Sequence, residues 1–201
     1  YPKKYIKALE KICRKNNILI AFDEMQAGFS RTGKNFGFEH YDIKPDLICC
    51  GKGMGGGIAV SGVIGKKKIM DLPEVGNMSS TNSANPIACS AGLAVIEEIN
   101  KKKLTRNSKI KGQYLHKGLK KLEKKFPDLF TVYGKGLIAS LVFDTRIKNI
   151  NKKLKLVVED SMSKGLLLCY TGRESIKIGP PLTITKDAIK EGLDVLESSI
   201  I

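Results

Sequence analysis

Tryptophan is absent from this 201-residue chain, and imidazole is scarce, with only His40 and His116. Two histidines leave little material for a metal centre built on imidazole. Cys13, Cys49, Cys50, Cys89 and Cys169 form no C-x-x-C pair, and their number is odd, so neither a disulfide frame nor a cysteine zinc site is expected. Several of them lie in apolar runs and read as buried, reduced thiols of a cytoplasmic protein. Arginine is confined to Arg14, Arg31, Arg106, Arg146 and Arg173, although Lys and Arg together number 35. No apolar run approaches the roughly 18 residues that a membrane-spanning helix needs. The opening residues, YPKKYIKALEK, lack the apolar stretch of a secretory signal. They also lack an initial Met, which suits processing or a piece of a longer polypeptide.

What is present is lysine. The formal net charge of +15 invites nucleic acid or an anionic membrane as partner. Its distribution argues against both. The lysines stud helical faces, as in KGLKKLEKK and NKKLKLVVED, and do not gather with arginine and aromatic readers. A lysine-biased composition accounts for the charge, and neither a nucleic-acid nor a membrane partner is expected. With 42% hydrophobic residues the chain can build a substantial core.

Periodicity predicts an α/β protein. A helix over 2–15 would place Tyr5, Ile6, Leu9 and Ile12 or Cys13 on one face. ILIAF (18–22), DLICC (46–50) and IAVSGVIG (58–65) read as strands, the first as one buried on both faces in a parallel sheet. Asn85-Pro86 opens a helix whose small and apolar residues predict deep burial. A second helix is expected near 107–125. The texture then changes to strand, glycine turn and strand (129–143), a helix closed by Gly165, strands at LLLCY and SIKIG, and a last helix capped by Thr185. This places a boundary near residue 104, with part of a parallel α/β domain over 1–103 and a small α+β domain over 104–201.

Two of the expected strands end in reactive groups, Asp23 and Lys52. Ligands of parallel sheets gather at the carboxyl ends of strands. A lysine there can form an imine with an aldehyde cofactor, and a carboxylate can keep a ring nitrogen protonated, which makes the ring an electron sink. Imine formation needs a partly neutral amine, which an ordinary solvated lysine is not. The glycines around Lys52 let backbone approach a flat ring. Taken singly, Asp23 also fits a strand-end cap or ion pair, and Lys52 a solvated loop lysine. GKGMGGG lacks the frame of a phosphate-binding P-loop.

The order Asp-Glu-x-Gln-x-Gly-Phe-x-Arg-Thr-Gly, then Pro-Asp, then Lys-Gly-x-Gly-Gly-Gly resembles the signature of the class III aminotransferases, pyridoxal-phosphate enzymes of fold type I. SSTNSANPIACSAGLAVIEEI and GPPLTITKDAIKEGLDVL are similar to later segments of that family, so the resemblance covers essentially the whole chain. It implies a three-layer α/β/α large-domain portion followed by the small domain. It implies pyridoxal 5'-phosphate as cofactor, with Lys52 as the Schiff-base lysine and proton carrier, and Asp23 as partner of the pyridinium nitrogen. Gln26 is implied near the cofactor's 3-oxygen. Thr81 would bind the cofactor phosphate of the neighbouring subunit, hence a homodimer with shared active sites. The implied substrates are small amino acids or ω-amino acids and 2-oxo acids, with donors resembling 4-aminobutyrate or ornithine.

The sequence departs from the family in places. Lys177 stands where the family usually has an arginine that grips a substrate carboxylate, and lysine lacks the planar two-point fork. Substrate choice could differ, Arg173 could substitute, or Lys177 could be a surface residue. Met78 replaces a usual histidine. The family's glycine/serine phosphate loop, its ring-stacking aromatic and its gating glutamate would lie upstream of Tyr1, so the chain corresponds to a C-terminal half. An aminomutase or racemase on the same fold, or a non-catalytic fragment serving as an interaction domain, are the alternatives.

Overall fold

The computed structural model describes residues 1–200 and forms two compact units, Tyr1–Thr105 and the remainder from Arg106. Among the described residues no helix is long and apolar enough to cross a membrane.

The first unit opens with α1 (Lys3–Lys15), which Pro2 enters and which ends on Arg14 and Lys15, basic residues that suit the negative end of the helix dipole. A three-stranded sheet follows: β1 (Ala21–Asp23), β2 (Leu47–Cys50) and β3 (Gly62–Gly65), in that spatial order. β1 and β2 are parallel, with Ala21 opposite Leu47 and Asp23 opposite Cys49. β3 runs antiparallel to β2, so the sheet is mixed where the strand pattern predicted a parallel one. A short helix α2 (Lys67–Met70) leaves β3, and α3 (Pro86–Lys101) begins at the Asn85 cap, whose Oδ1 accepts the Ile87 N–H at 2.9 Å. One buried carboxylate ties these elements together. Asp46 accepts hydrogen bonds from Arg14 at the end of α1, from Lys66 at 2.6 Å and from the Ile20 N–H at 2.9 Å.

Several expectations are corrected here. The strand expected at 18–22 forms only over Ala21–Asp23, and Ile18 and Leu19 are about half exposed. Ile20 alone of that run is buried, because its N–H and C=O are spent on Asp46 and Leu47. On α1 the buried pair is Ile6 and Cys13, while Tyr5, Leu9 and Ile12 face outward. On α3 only Ala88, Gly92 and Ile99 are buried, and Ile87 is 74% exposed. Periodicity names the residues that share a face, but not what covers that face. The cysteines also divide: Cys13 and Cys50 are buried, Cys49 is half-buried, and Cys89 and Cys169 are exposed.

The second unit has a closed core. α4 (Leu104–Lys125) begins two residues before it and supplies Leu115, Leu119 and Leu122, spaced to share one face. The sheet has the order β4 (Phe130–Lys135), β5 (Ile138–Phe143), β7 (Ser175–Ile178), β6 (Cys169–Tyr170), with every pair antiparallel. Only Cys169 and Tyr170 of the expected strand LLLCY are paired. Alternation sends Phe130, Val132, Ala139, Leu141, Phe143 and Ile176 inward. α5 (Ile150–Ser163) adds Ile150 and Leu154, and α6 (Lys186–Ile200) adds Ile189 and Leu196. Each such side chain contributes about 1.5–3 kcal/mol on full burial. Gly165, at φ +88, turns the chain out of α5, and Thr185 Oγ1 accepts the Ala188 N–H at 3.1 Å to cap α6.

Two helical glycines of this unit respond oppositely to a methyl group. A Cβ on Gly112 would lie 2.4 Å from the Gly136 backbone, which cannot give way. A Cβ on Gly192 would meet only Leu166 Cδ1, at an ordinary 3.4 Å. Gly192→Ala is therefore expected to stabilise by about 1 kcal/mol through helix propensity. Gly112→Ala is expected to destabilise by about 2 kcal/mol or more through overpacking. Urea denaturation of the two variants checks both signs.

Candidate active site

The parallel pairing of β1 with β2 brings Asp23 and the Lys52 turn to one end of the sheet. Asp23 closes β1 opposite Cys49, and the ladder continues one residue further, with the Glu24 N–H donating to Cys49 O at 2.9 Å. Lys52 follows β2 after Gly51 and opens a 3-10 turn, Lys52–Gly55. The Met54 N–H closes that turn on Gly51 O at 3.1 Å.

Lys52 has φ +46, in the left-handed region that side chains seldom occupy. The strain of such a backbone is of order 1 kcal/mol. Its side chain is exposed. It lines an open cleft of about 740 Å³ together with Ser61, Ser80, Asn82, Ser83 and Asn85. A Cβ on Gly53 or Gly57 would meet nothing within 4 Å, so space lies open beside the lysine. By contrast Gly55 is packed, since a Cβ there would come within 2.7 Å of Val60 Cγ1.

Asp23 is exposed, and its Oδ1 accepts the Met25 N–H at 3.0 Å. Glu24, beside it, is 1% exposed and takes no part in the cleft. Its two oxygens accept the N–H groups of Gly37 at 2.8 Å and Phe38 at 2.7 Å, which fixes the loop leading to the 3-10 turn Gly37–Tyr41. Burial pushes the Glu24 carboxyl above its ordinary value, against the pull of those two N–H groups. Gln26 lies exposed in the turn after β1.

Thr81 sits in an exposed turn between Ser80 and Asn82. Those two neighbours line the Lys52 cleft, and Thr81 itself does not. Lys177 belongs to the second unit, on β7 between Ser140 of β5 and Cys169 of β6. It points to the face opposite buried Ile176. Arg173 is exposed just ahead of the same strand.

Ser61, Ser80, Asn82, Ser83 and Asn85 were not singled out by motif as a lining. The polar run SSTNSAN carries a signal for all of these but Ser61, as a dense set of hydroxyls and amides just ahead of a helix start. Among the described residues no group of three His, Cys, Asp or Glu side chains is placed to hold a metal ion.

The chain belongs to the class III aminotransferases: the family model described as "Aminotransferase class-III" matches residues 1–200. It is 40% identical over 99% of its length to a leucine/methionine racemase of Thermococcus litoralis, of which it covers 46%. It is 38% identical over 98% of its length to an acetylornithine aminotransferase of Synechocystis, covering 45% of that protein. Among solved structures, the acetylornithine aminotransferase from Elizabethkingia anophelis superimposes with a TM-score of 0.89 at 30% identity, over 99% of this chain and 49% of that one. An S-selective transaminase from Arthrobacter gives 0.90 at 26% identity, again over 99% of this chain and 47% of the other. The fold is thus the α/β fold of the fold type I transaminases. The chain spans about half the length of the curated relatives it matches.

Proposed function

We propose that this chain carries the lysine-bearing half of a pyridoxal-phosphate-dependent aminotransferase, which moves an amino group from an amino acid or ω-amino acid to a 2-oxo acid. The observation that carries this reading is the arrangement at one end of the sheet. Lys52 opens onto a cleft lined with hydroxyls and amides, and Asp23 ends the adjoining parallel strand. These residues fit the cofactor. A primary amine faces open space beside Gly53 and Gly57, serines and asparagines offer donors for a phosphate, and a carboxylate stands at the neighbouring strand end. Bound there, pyridoxal phosphate would supply an electron sink.

The chain's own residues would do the rest. Lys52 Nζ would hold the cofactor covalently, and once displaced by substrate it would take and return the proton of the carbon that bears the amine. Asp23 would keep a positive ring nitrogen beside it protonated. Gln26 would stand near the cofactor's 3-oxygen. Thr81, exposed on its turn, would reach the phosphate of a neighbouring subunit, which gives a homodimer with shared sites. Lys177 would meet a substrate carboxylate as a single point charge in place of an arginine fork. Donors of the 4-aminobutyrate or ornithine type suit this reading, as do relatives named acetylornithine aminotransferase and 5-aminovalerate aminotransferase.

A racemase is the second reading, favoured by the 40% identity to the leucine/methionine racemase. The two differ in where the proton returns. Return to the opposite face of the same substrate carbon inverts it, and return elsewhere leaves the amine behind for a 2-oxo acid. The test supplies donor alone and then donor with 2-oxo acid, following both amino transfer and optical inversion. Transfer that requires the 2-oxo acid is the expected result. Inversion without any acceptor selects the racemase. Failure of Lys52 to form any borohydride-reducible adduct with pyridoxal phosphate overturns both and leaves a non-catalytic role.

A further inference from the structure

The Lys52 cleft has two banks, and both are irregular backbone. The amine stands on the 3-10 turn Lys52–Gly55, and the hydroxyls and amides come from the run 80–85. One regular element, α3, touches both. It continues the run 80–85 without a break. Asn85 Oδ1 accepts the Ile87 N–H at 2.9 Å and the Ala88 N–H at 3.3 Å, and Asn85 O accepts the Cys89 N–H at 2.9 Å. Ala88 and Cys89, in the first turn of α3, line the cleft. One turn further along the face of Ala88 lies Gly92, which is buried. A Cβ on Gly92 would meet Met54 O, in the middle of the Lys52 turn, at 3.6 Å. Val95 follows on the same face, and its Cγ2 lies 2.8 Å from where a Cβ on Gly56 would stand. Gly56, at φ +60, is the left-handed residue on which the Lys52 turn ends.

We infer that Gly92 is a positioning residue: it sets how closely α3 lies on the Lys52 turn, and so the span between the Lys52 amine and the donors at 80–85. The inference rests on the reading of Lys52 as the lysine that bears the cofactor. A helix is a stiff spacer of about 1.5 Å per residue, so a shift at Gly92 is passed along α3 to its capped end. The turn on the other side has no such stiffness. It starts and ends on left-handed residues, Lys52 and Gly56, within a run of glycines. A glycine inside a helix is less favourable than alanine by about 1 kcal/mol, so its presence in α3 calls for a local reason. Alanine still fits at 92, since its Cβ would stand at ordinary contact distance from Met54 O. A longer side chain does not. On a helix it folds back over the preceding turn, here over Ala88 at the cleft, and it must push the Met54 carbonyl away. Reacting geometry is sensitive at this scale, since a displacement of about 1 Å can cost up to about 100-fold.

The experiment compares wild type, Gly92→Ala and Gly92→Leu with two aldehydes, pyridoxal 5'-phosphate and pyridoxal, which differ only in the phosphate. Each is titrated against the protein, trapped with borohydride, and counted at Lys52 by peptide mass spectrometry. The readout is the ratio of the two half-saturating concentrations. Wild type should favour the phosphorylated aldehyde by about tenfold or more, the scale of hydrogen bonds to a charged group. Gly92→Leu should cut that preference to about twofold or less, because the amine and the donors no longer fit one molecule. Trapping of pyridoxal, which needs the amine alone, should change by less than about twofold. Gly92→Ala should keep the wild-type preference. An undiminished preference in Gly92→Leu overturns the inference. So does an equal loss with both aldehydes, which would make Gly92 a packing residue only. If Gly92→Leu does not fold, Gly92→Val decides by the same ratio, since its Cγ atoms also crowd Met54 O. A wild type that traps both aldehydes equally at Lys52 overturns the inference and leaves Lys52 as the reactive lysine. Absence of a wild-type adduct at Lys52 with either aldehyde is a different outcome: it removes the proposed function, and the inference falls with it.

Discussion

Lys52→Ala is expected to abolish the borohydride-reducible pyridoxyl adduct and to lower amino transfer by about 10⁵–10⁶-fold, the scale seen when a nucleophile is removed from an enzyme. The chain holds many other lysines, so the specificity of this result is the point. Most of the others lie on helical faces or in exposed ion pairs such as Lys67–Asp71, Lys164–Asp160 and Lys190–Asp194. Lys52 alone among the lysines lines the cleft with the serines and asparagines. Peptide mapping should place essentially all rapidly formed adduct there. An adduct that persists in Lys52→Ala at wild-type rate assigns the chemistry to another lysine. Asp23→Asn separates the two roles: the adduct should remain, and turnover should fall by about 10²–10³-fold, typical of losing one electrostatic partner of the reacting group. Equal loss of adduct in both variants would mean that Asp23 serves to shape the turn after β1, through its bond to the Met25 N–H, and not the reaction.

Asp46 carries the largest expected effect on stability. Its side chain is 3% exposed, while its partners Arg14 and Lys66 are 39% and 46% exposed. Burial alone would raise its carboxyl. The hydrogen bonds from Lys66, the Ile20 N–H and Arg14 outweigh that and hold it well below the usual carboxylate range. Asp46→Ala leaves the Ile20 N–H without its acceptor and removes both ion pairs, at an expected cost of about 2–4 kcal/mol. Lys66→Ala should cost under about 1 kcal/mol, because Arg14 still holds the carboxylate and a half-exposed pair contributes little. The pH dependence has a definite sign. A carboxyl depressed in the folded state stabilises fully above its unfolded value, near about 4, and loses that contribution as pH falls toward its folded value. Urea denaturation should show a wild-type advantage over Asp46→Asn at pH 7 that narrows progressively below about pH 4. An advantage constant across that range would mean that Asp46 acts by shape and neutral hydrogen bonding.

Local signals were the most dependable guide to the structure. Asn85 and Thr185 could be read as caps because a cap depends on residues two or three positions away. The placing of Asp23 and Lys52 at the ends of neighbouring strands could be read because strands consecutive in sequence usually lie side by side. Non-local facts were harder. The antiparallel course of β3 depends on which edge of β2 was free. The outward faces of α1 and α3 depend on what packs against them. The cleft residues converge from two separate segments, 52–61 and 80–89, the latter running into the first turn of α3.

The contribution of α6 to the second core has a bearing on aggregation. Ile189 and Leu196 pack with core residues that run from Leu115 to Ile176. Local detachment of α6 would uncover part of the inward face of the sheet, and apolar strand surface laid bare in that way is what aggregation-prone, partly folded species share. Conditions that loosen α6 before the rest of this unit should therefore promote aggregation ahead of global unfolding.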